Sequence, residues 1–129
     1  MPDDISLLGG LNTALGIELV ESGPDRVVLG VDIAAQHLQP YGIVHGGLYC
    51  TLVETAGSIA GALWFGERGK VVGVANHTDF LRATGSGRVT AVASPVHRGR
   101  SQQLWLVEIS DDESRLVARG EVRLQNLTA

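Results

Sequence analysis

The 129-residue chain has one cysteine, Cys50, so no disulfide can form within it and nothing points to an oxidising compartment. It has no excess of positive charge. The 10 Lys and Arg are outnumbered by 14 Asp and Glu, and a formal net charge of −4 gives no reason to expect nucleic acid. A long apolar run is missing too: Ile59 to Phe65 falls far short of the roughly 20 residues a bilayer-spanning helix needs. The opening Met1-Pro2-Asp3-Asp4 is acidic where a secretory signal would begin with positive charge. There is no internal repeat, low-complexity tract or dividing linker. The expectation is one domain over residues 1–129, cytoplasmic, without membrane or nucleic-acid partners.

What is present fits a globular core, with 44% hydrophobic and 19% charged residues. A short helix is expected around Ile5 to Leu15. Two strands follow, Ile17 to Glu21 and Arg26 to Ile33, around the turn Ser22-Gly23-Pro24-Asp25. Ala34 to Val44 reads as irregular, with Pro40 and Gly42 as breakers. From Gly46, the residues Leu48, Leu52, Val53, Ala56, Ile59, Ala60 and Leu63 recur at three- and four-residue spacing, the mark of a helix face. Its glycines each cost about 1 kcal/mol of helix propensity relative to alanine, and tolerating them among so many small residues predicts a buried helix with other backbone packed close against it. Lys70–Leu81, Gly87–His97, Gln103–Ser110 and Leu116–Leu124 then read as an antiparallel run joined by turn residues. The order predicts an α+β fold, one central helix wrapped by a curved sheet.

The segment from Gln39 to Ser58 carries the chemistry. The pair Gly46-Gly47 opens the central helix and leaves its first N–H groups unshielded, where the helix dipole favours partial negative charge. Such an amide could stabilise the oxyanion of a carbonyl under attack. By itself a Gly-Gly at a helix start is more often structural. Glu54, a carboxylate among Leu52, Val53, Ala56 and Ile59, is costly to bury unless it is paired or used. It reads equally as a solvent-facing residue. Ser58 lies one turn further on the same face, within reach of Glu54 or of a water, although serine there is usually a packing residue.

Gly46 and Glu54 are eight residues apart, about 12 Å along a helix axis. Both cannot lie within roughly 3 Å of one carbonyl. A site using both therefore needs two copies of the helix, as in a dimer with antiparallel central helices.

Three stretches resemble the hotdog-fold acyl-CoA thioesterase superfamily, in its 4-hydroxybenzoyl-CoA thioesterase and PaaI-like branch. They are Gln39-Pro40-Tyr41-Gly42-Ile43-Val44-His45-Gly46-Gly47 with Glu54 and Gly57-Ser58, Asn76 to Arg82, and His97-Arg98-Gly99-Arg100 before Gln103-Leu104-Trp105. The resemblance covers about Ile17 to Leu124. It implies hydrolysis of a small, aromatic acyl-CoA or acyl-carrier thioester to acid and thiol, without cofactor or metal. It implies Glu54 as nucleophile or general base, Gly46 as backbone donor to the thioester oxygen, and Gln39 as an amide near that thioester. His45 would hold the loop and the thioester end, and Ser58 would assist water or leaving group. Arg82, Arg98, Arg100 and Ser101 match regions that bind the CoA portion, although two arginines at a turn are otherwise more often a solvated hairpin. The resemblance also implies a homo-oligomer, a dimer or dimer of dimers with the site between subunits. Where part of the carrier branch has two histidines before the arginine, this chain has Phe80-Leu81.

Two other readings compete, a hotdog hydroxyacyl-thioester dehydratase and a non-catalytic acyl-CoA binding module. The dehydratase helix usually opens with Pro-Gly and lacks a His-Gly-Gly run, and pure binding does not require a buried carboxylate. A metal site from His37, His45, His77 and His97 lacks the local spacing of zinc motifs.

Overall fold

The computed structural model describes residues 8–128. A short helix α1 (Gly10–Ala14) leads into β1 (Glu18–Glu21) and β2 (Val27–Asp32). Residues 5–7 of the expected N-terminal helix lie outside the described range. A 3₁₀ turn (Ala35–His37) and the irregular stretch to Val44 precede the central helix α2 (Gly46–Phe65). The long strands β3 (Gly69–Phe80), β4 (Arg88–Arg98), β5 (Gln102–Ser110) and β6 (Leu116–Thr128) complete the chain. All six strands form one antiparallel sheet in the order β1-β2-β4-β5-β6-β3. Strand β6 runs four residues beyond the expected end at Leu124, because β3 pairs with it from Gly69↔Thr128 onward.

Helix α2 packs against β2, β3, β4, β5 and β6, five of the six strands. That is the hotdog fold. The small residues of α2 permit this closeness. A Cβ at Gly57 would collide with Val122, and one at Gly61 would collide with Leu124. Leu52, Val53 and Ala56 from the helix meet Leu29, Trp105, Val107, Ile109 and Leu124 from the sheet, all without solvent exposure. Helix and following turn together (Gly46–Arg68) are long and apolar enough to cross a bilayer, a length the contiguous run Ile59–Phe65 did not suggest. Of its most apolar 18 residues, 56% are buried within the fold, so its composition is accounted for by packing on the sheet.

Two polar devices shape the far ends. Gln103, fully buried, donates to Gly61 O at 3.3 Å and to Asn126 Oδ1 at 2.8 Å, and accepts from the Trp105 indole at 2.8 Å. Asn126 in turn donates to Gly99 O and Arg100 O, both at 3.1 Å, fixing the β4–β5 turn. In the β5–β6 turn, Asp111 accepts from the Glu113 and Arg115 backbones at 2.9 and 3.0 Å and from Arg115 Nε at 2.8 Å.

Candidate active site

His45 is the N-cap of α2. Its backbone is extended, and Nδ1 accepts from Gly47 N–H at 2.7 Å, while its carbonyl accepts from Leu48 N–H at 3.0 Å. Those bonds satisfy two of the orphan amides that every helix start carries. The Gly46 N–H donates to no acceptor among the described residues. His45 itself is anchored through its own N–H to His37 O at 2.8 Å. His37 is buried, with Nδ1 accepting from Ala34 N–H at 2.9 Å and Nε2 against Leu15 O at 2.6 Å. That histidine is a structural pin.

Gly46 lines a cavity of about 300 Å³ together with Gln39, Tyr49, Phe80, Arg82 and Thr84 among others. The Gln39 side-chain oxygen accepts from the Tyr41 backbone, and its Nε2 has no acceptor among the described residues. Two unused donors, Gly46 N–H and the Gln39 amide, thus line one cavity beside an exposed arginine. Tyr49 also lines it. Its side chain is buried and its hydroxyl makes no well-formed hydrogen bond, with the Thr84 side chain as its nearest polar neighbour; burial pushes the phenol above its ordinary range and Thr84 opposes that rise. The Tyr49 and Phe80 rings lie 6.1 Å apart, tilted by 37°. The sequence reading missed Tyr49, since at three residues past Gly46 it reads as one more apolar helix position.

Glu54 lies in a second cavity of about 380 Å³, with Leu11, Asn12, Cys50, Thr51, Thr55 and Asn76. The carboxylate is half-buried and unpaired by any cation among the described residues, and Oε1 accepts from Asn76 Nδ2 at 3.1 Å. Its other oxygen occupies the space left by Gly73, where a Cβ would collide with it. Ser58 is half-buried, lines neither cavity and makes no hydrogen bond to Glu54. The protomer therefore keeps Gly46 and Glu54 in separate cavities, as the 12 Å axial rise requires.

The remaining basic residues divide. Arg82 faces the Gly46 cavity and forms no ion pair among the described residues. Arg100 and Ser101 sit exposed in the β4–β5 turn, away from both cavities. Arg98 is engaged elsewhere, donating to Asp25 Oδ1 at 2.7 Å and Pro24 O at 3.0 Å. No cluster of three or more His, Cys, Asp or Glu suited to a metal occurs among the described residues.

Residues 41–118 match the family model described as the thioesterase superfamily. The chain belongs to the thioesterase superfamily. Similar proteins bear this out along nearly the whole length. A Mycobacterium tuberculosis protein, named only provisionally as an esterase, is 48% identical over 99% of this chain and 94% of its own. Its solved structure superposes with a TM-score of 0.90, covering 92% of this chain and 96% of that one. The Escherichia coli 1,4-dihydroxy-2-naphthoyl-CoA hydrolase is 34% identical over 84% of this chain and 79% of its own. A Haemophilus influenzae thioesterase structure has a TM-score of 0.91 at 33% identity, covering 97% and 87% of the two chains. The superfamily's fold and the hydrolases among its relatives make this chain a thioester hydrolase, which removes the dehydratase and the non-catalytic binder from contention.

Proposed function

We propose that this thioester hydrolase cleaves a small, aromatic acyl-CoA at a site completed by a second copy of the chain. The observation that carries the reading is the division of the machinery. One cavity offers two unused N–H donors, Gly46 and Gln39, and the other offers an unpaired carboxylate, Glu54. Strand β3 supplies the means of joining them. It is a sheet edge of 12 residues, almost wholly exposed, carrying Val72 and Val74 into solvent. An edge of that length is a template for pairing with another strand. Antiparallel pairing of β3 with its copy sets the two central helices antiparallel and brings Glu54 of one chain toward Gly46 of the other.

In that assembly the thioester oxygen accepts from Gly46 N–H and Gln39 Nε2, which stabilise the charge that develops on it. Glu54 either takes a proton from water as the water oxygen attacks the carbonyl carbon, or attacks that carbon itself. The C–S bond breaks and the thiolate leaves, taking the proton back from Glu54 on the general-base route; on the nucleophilic route water then cleaves the Glu54–acyl anhydride and supplies the thiolate's proton, so either way one water is consumed to give acid and thiol. His45 keeps the Gly46 amide free by occupying its neighbours, and Ser58 is available to the water only once the partner is in place. Arg82, beside the cavity, and Arg100 with Ser101, in their exposed turn, are the groups open to CoA phosphates. The Tyr49–Phe80 wall and the likeness to a naphthoyl-CoA hydrolase support an aromatic acyl group.

The test is benzoyl-CoA hydrolysis followed by a thiol reagent, together with the mass of the protein in solution. Wild type is expected to be a dimer or larger and to turn over. Glu54→Gln is expected to lose about 10²–10⁴-fold in kcat. An active Glu54→Gln enzyme, or an active monomer, would overturn the reading.

A further inference from the structure

The partner that holds Glu54 comes from β3, and it gets there through an irregularity. Strand β3 carries one extra residue, Val74, where its register with β6 shifts between Gly73 and Ala75. Such a bulge breaks the in–out alternation of a strand. Gly73 lies opposite Leu124, Asn76 opposite Val122, Thr78 opposite Gly120 and Phe80 opposite Ala118. All four β6 residues are buried under α2, so Gly73, Asn76, Thr78 and Phe80 share the helix-facing side. Ala75, His77 and Asp79 lie opposite Arg123, Glu121 and Arg119, all exposed. Without the slip, strict alternation from Gly73 would send Ala75 and His77 toward the helix instead.

The consequence at Glu54 is a built cradle. The Asn76 amide donates to Glu54 Oε1 at 3.1 Å and to Cys50 O, one turn back on the same helix, at 3.2 Å. Thr78 Oγ1 donates to Asn76 Oδ1 at 2.7 Å, which fixes the amide so that its N–H₂ faces the carboxylate. Glu54 Oε2 accepts no hydrogen bond among the described residues and projects into the room made by the absent Gly73 side chain.

We infer that Asn76 is the positioning residue of the catalytic carboxylate: with Thr78 behind it, it ties down Oε1 and leaves Oε2 as the oxygen that reacts. This rests on the reading of Glu54 as the reacting carboxylate. Asn76 acts through Glu54. A carboxylate held by one oxygen has its rotation about the last side-chain bond removed before the substrate arrives, which is an orientational gain.

The test compares Asn76→Ala, Asn76→Asp, Thr78→Val and Glu54→Gln in benzoyl-CoA hydrolysis. Asn76→Ala is expected to lower kcat about 10- to 100-fold with KM within about twofold, as loss of orientation does. Asn76→Asp is the closest match in shape, yet it replaces the donor with a second carboxylate that repels the first, so it is expected to be the slower of the two. A role in packing alone orders them the other way. Thr78→Val, which leaves Asn76 and Glu54 intact, is expected to show a smaller loss in kcat. One readout needs no substrate: the Asn76 side-chain amide resonance should move in Glu54→Gln. Asn76→Asp as active as wild type, or more active than Asn76→Ala, overturns the inference, as does an amide resonance indifferent to Glu54→Gln. If Glu54→Gln is inactive while both Asn76 variants are fully active, only the inference fails. If Glu54→Gln is active, the reading beneath it fails as well.

Discussion

Arg98 donates from Nη1 to Asp25 Oδ1 at 2.7 Å, joining the end of β4 to the β1–β2 turn. The same guanidinium lies 5.7 Å from the Trp64 ring and 5.8 Å from that of Trp105. Two residues along, Arg100 has no such partner among the described residues. Arg98→Ala is therefore expected to lower stability, by about 1 kcal/mol for a part-exposed pair with ring contacts, and to change KM for acyl-CoA little. Arg100→Ala is expected to leave the melting temperature unchanged and to raise KM severalfold. Thermal melts beside Michaelis curves separate the two; a KM effect larger in Arg98→Ala than in Arg100→Ala would refute the division.

The resemblance grouped these two arginines because they flank one turn; only the fold shows that their side chains part company. The central helix was legible, since the spacing of Leu48, Leu52, Val53, Ala56, Ile59 and Ala60 has one reading. Its burial was legible too, because Gly57 and Gly61 make sense only with backbone or side chains pressed against them. The four long strands were legible from β-branched residues and turn chemistry. What alternation could not reveal was the slip at Val74, which needs the register of the partner strand, and with it the placing of Asn76 beside Glu54. Nor could it reveal that the Tyr49 hydroxyl is buried beside Thr84 without a well-formed hydrogen bond, which depends on what surrounds it.

Gly46→Pro isolates the proposed oxyanion donor. Gly46 is the first helical residue, where proline is well tolerated, and His45 has φ −65° and ψ 132°, the extended conformation that residues before proline prefer. Phe80 must swing aside for any side chain at this position, and its ring is largely exposed. Proline removes the N–H, whereas Gly46→Ala keeps it and makes the same demand on Phe80. The expected loss in kcat is about 10²–10³-fold for proline and far less for alanine. Equal losses would show that space at Phe80, and not the amide, is what matters.

Tyr49→Phe removes a buried hydroxyl that makes no well-formed hydrogen bond, its one polar side-chain neighbour being Thr84. An unsatisfied buried polar group costs about 1–3 kcal/mol. The substrate-free variant is expected to melt several degrees higher than wild type, about 2–8 °C per kcal/mol for a chain of this size. A lower melting temperature would mean that the hydroxyl has a partner in solution.

The β5–β6 turn carries a pH-dependent contribution. The backbone N–H of Arg115 is the main cause holding the Asp111 carboxyl below its ordinary range, helped by the Arg115 side chain and the Glu113 N–H. A group depressed in the folded state stabilises it above the unfolded value, about 4, and that gain fades as pH falls through the folded value. Asp111→Ala is expected to melt below wild type at pH 7, with the gap closing as pH drops under about 4. A gap that is constant with pH would assign the effect to packing.

Under the proposed function, the amide and the carboxylate that one helix holds in separate cavities are two halves of a site that a single chain cannot complete. A chain inactivated at Glu54 and another inactivated at Gly46 are then defective in different halves. Mixed and allowed to exchange subunits, they are expected to form hybrids in which one of the two proposed sites inherits an intact amide from the first chain and an intact carboxylate from the second. Two inert preparations should thus yield an active one, something no enzyme with a self-contained site can do.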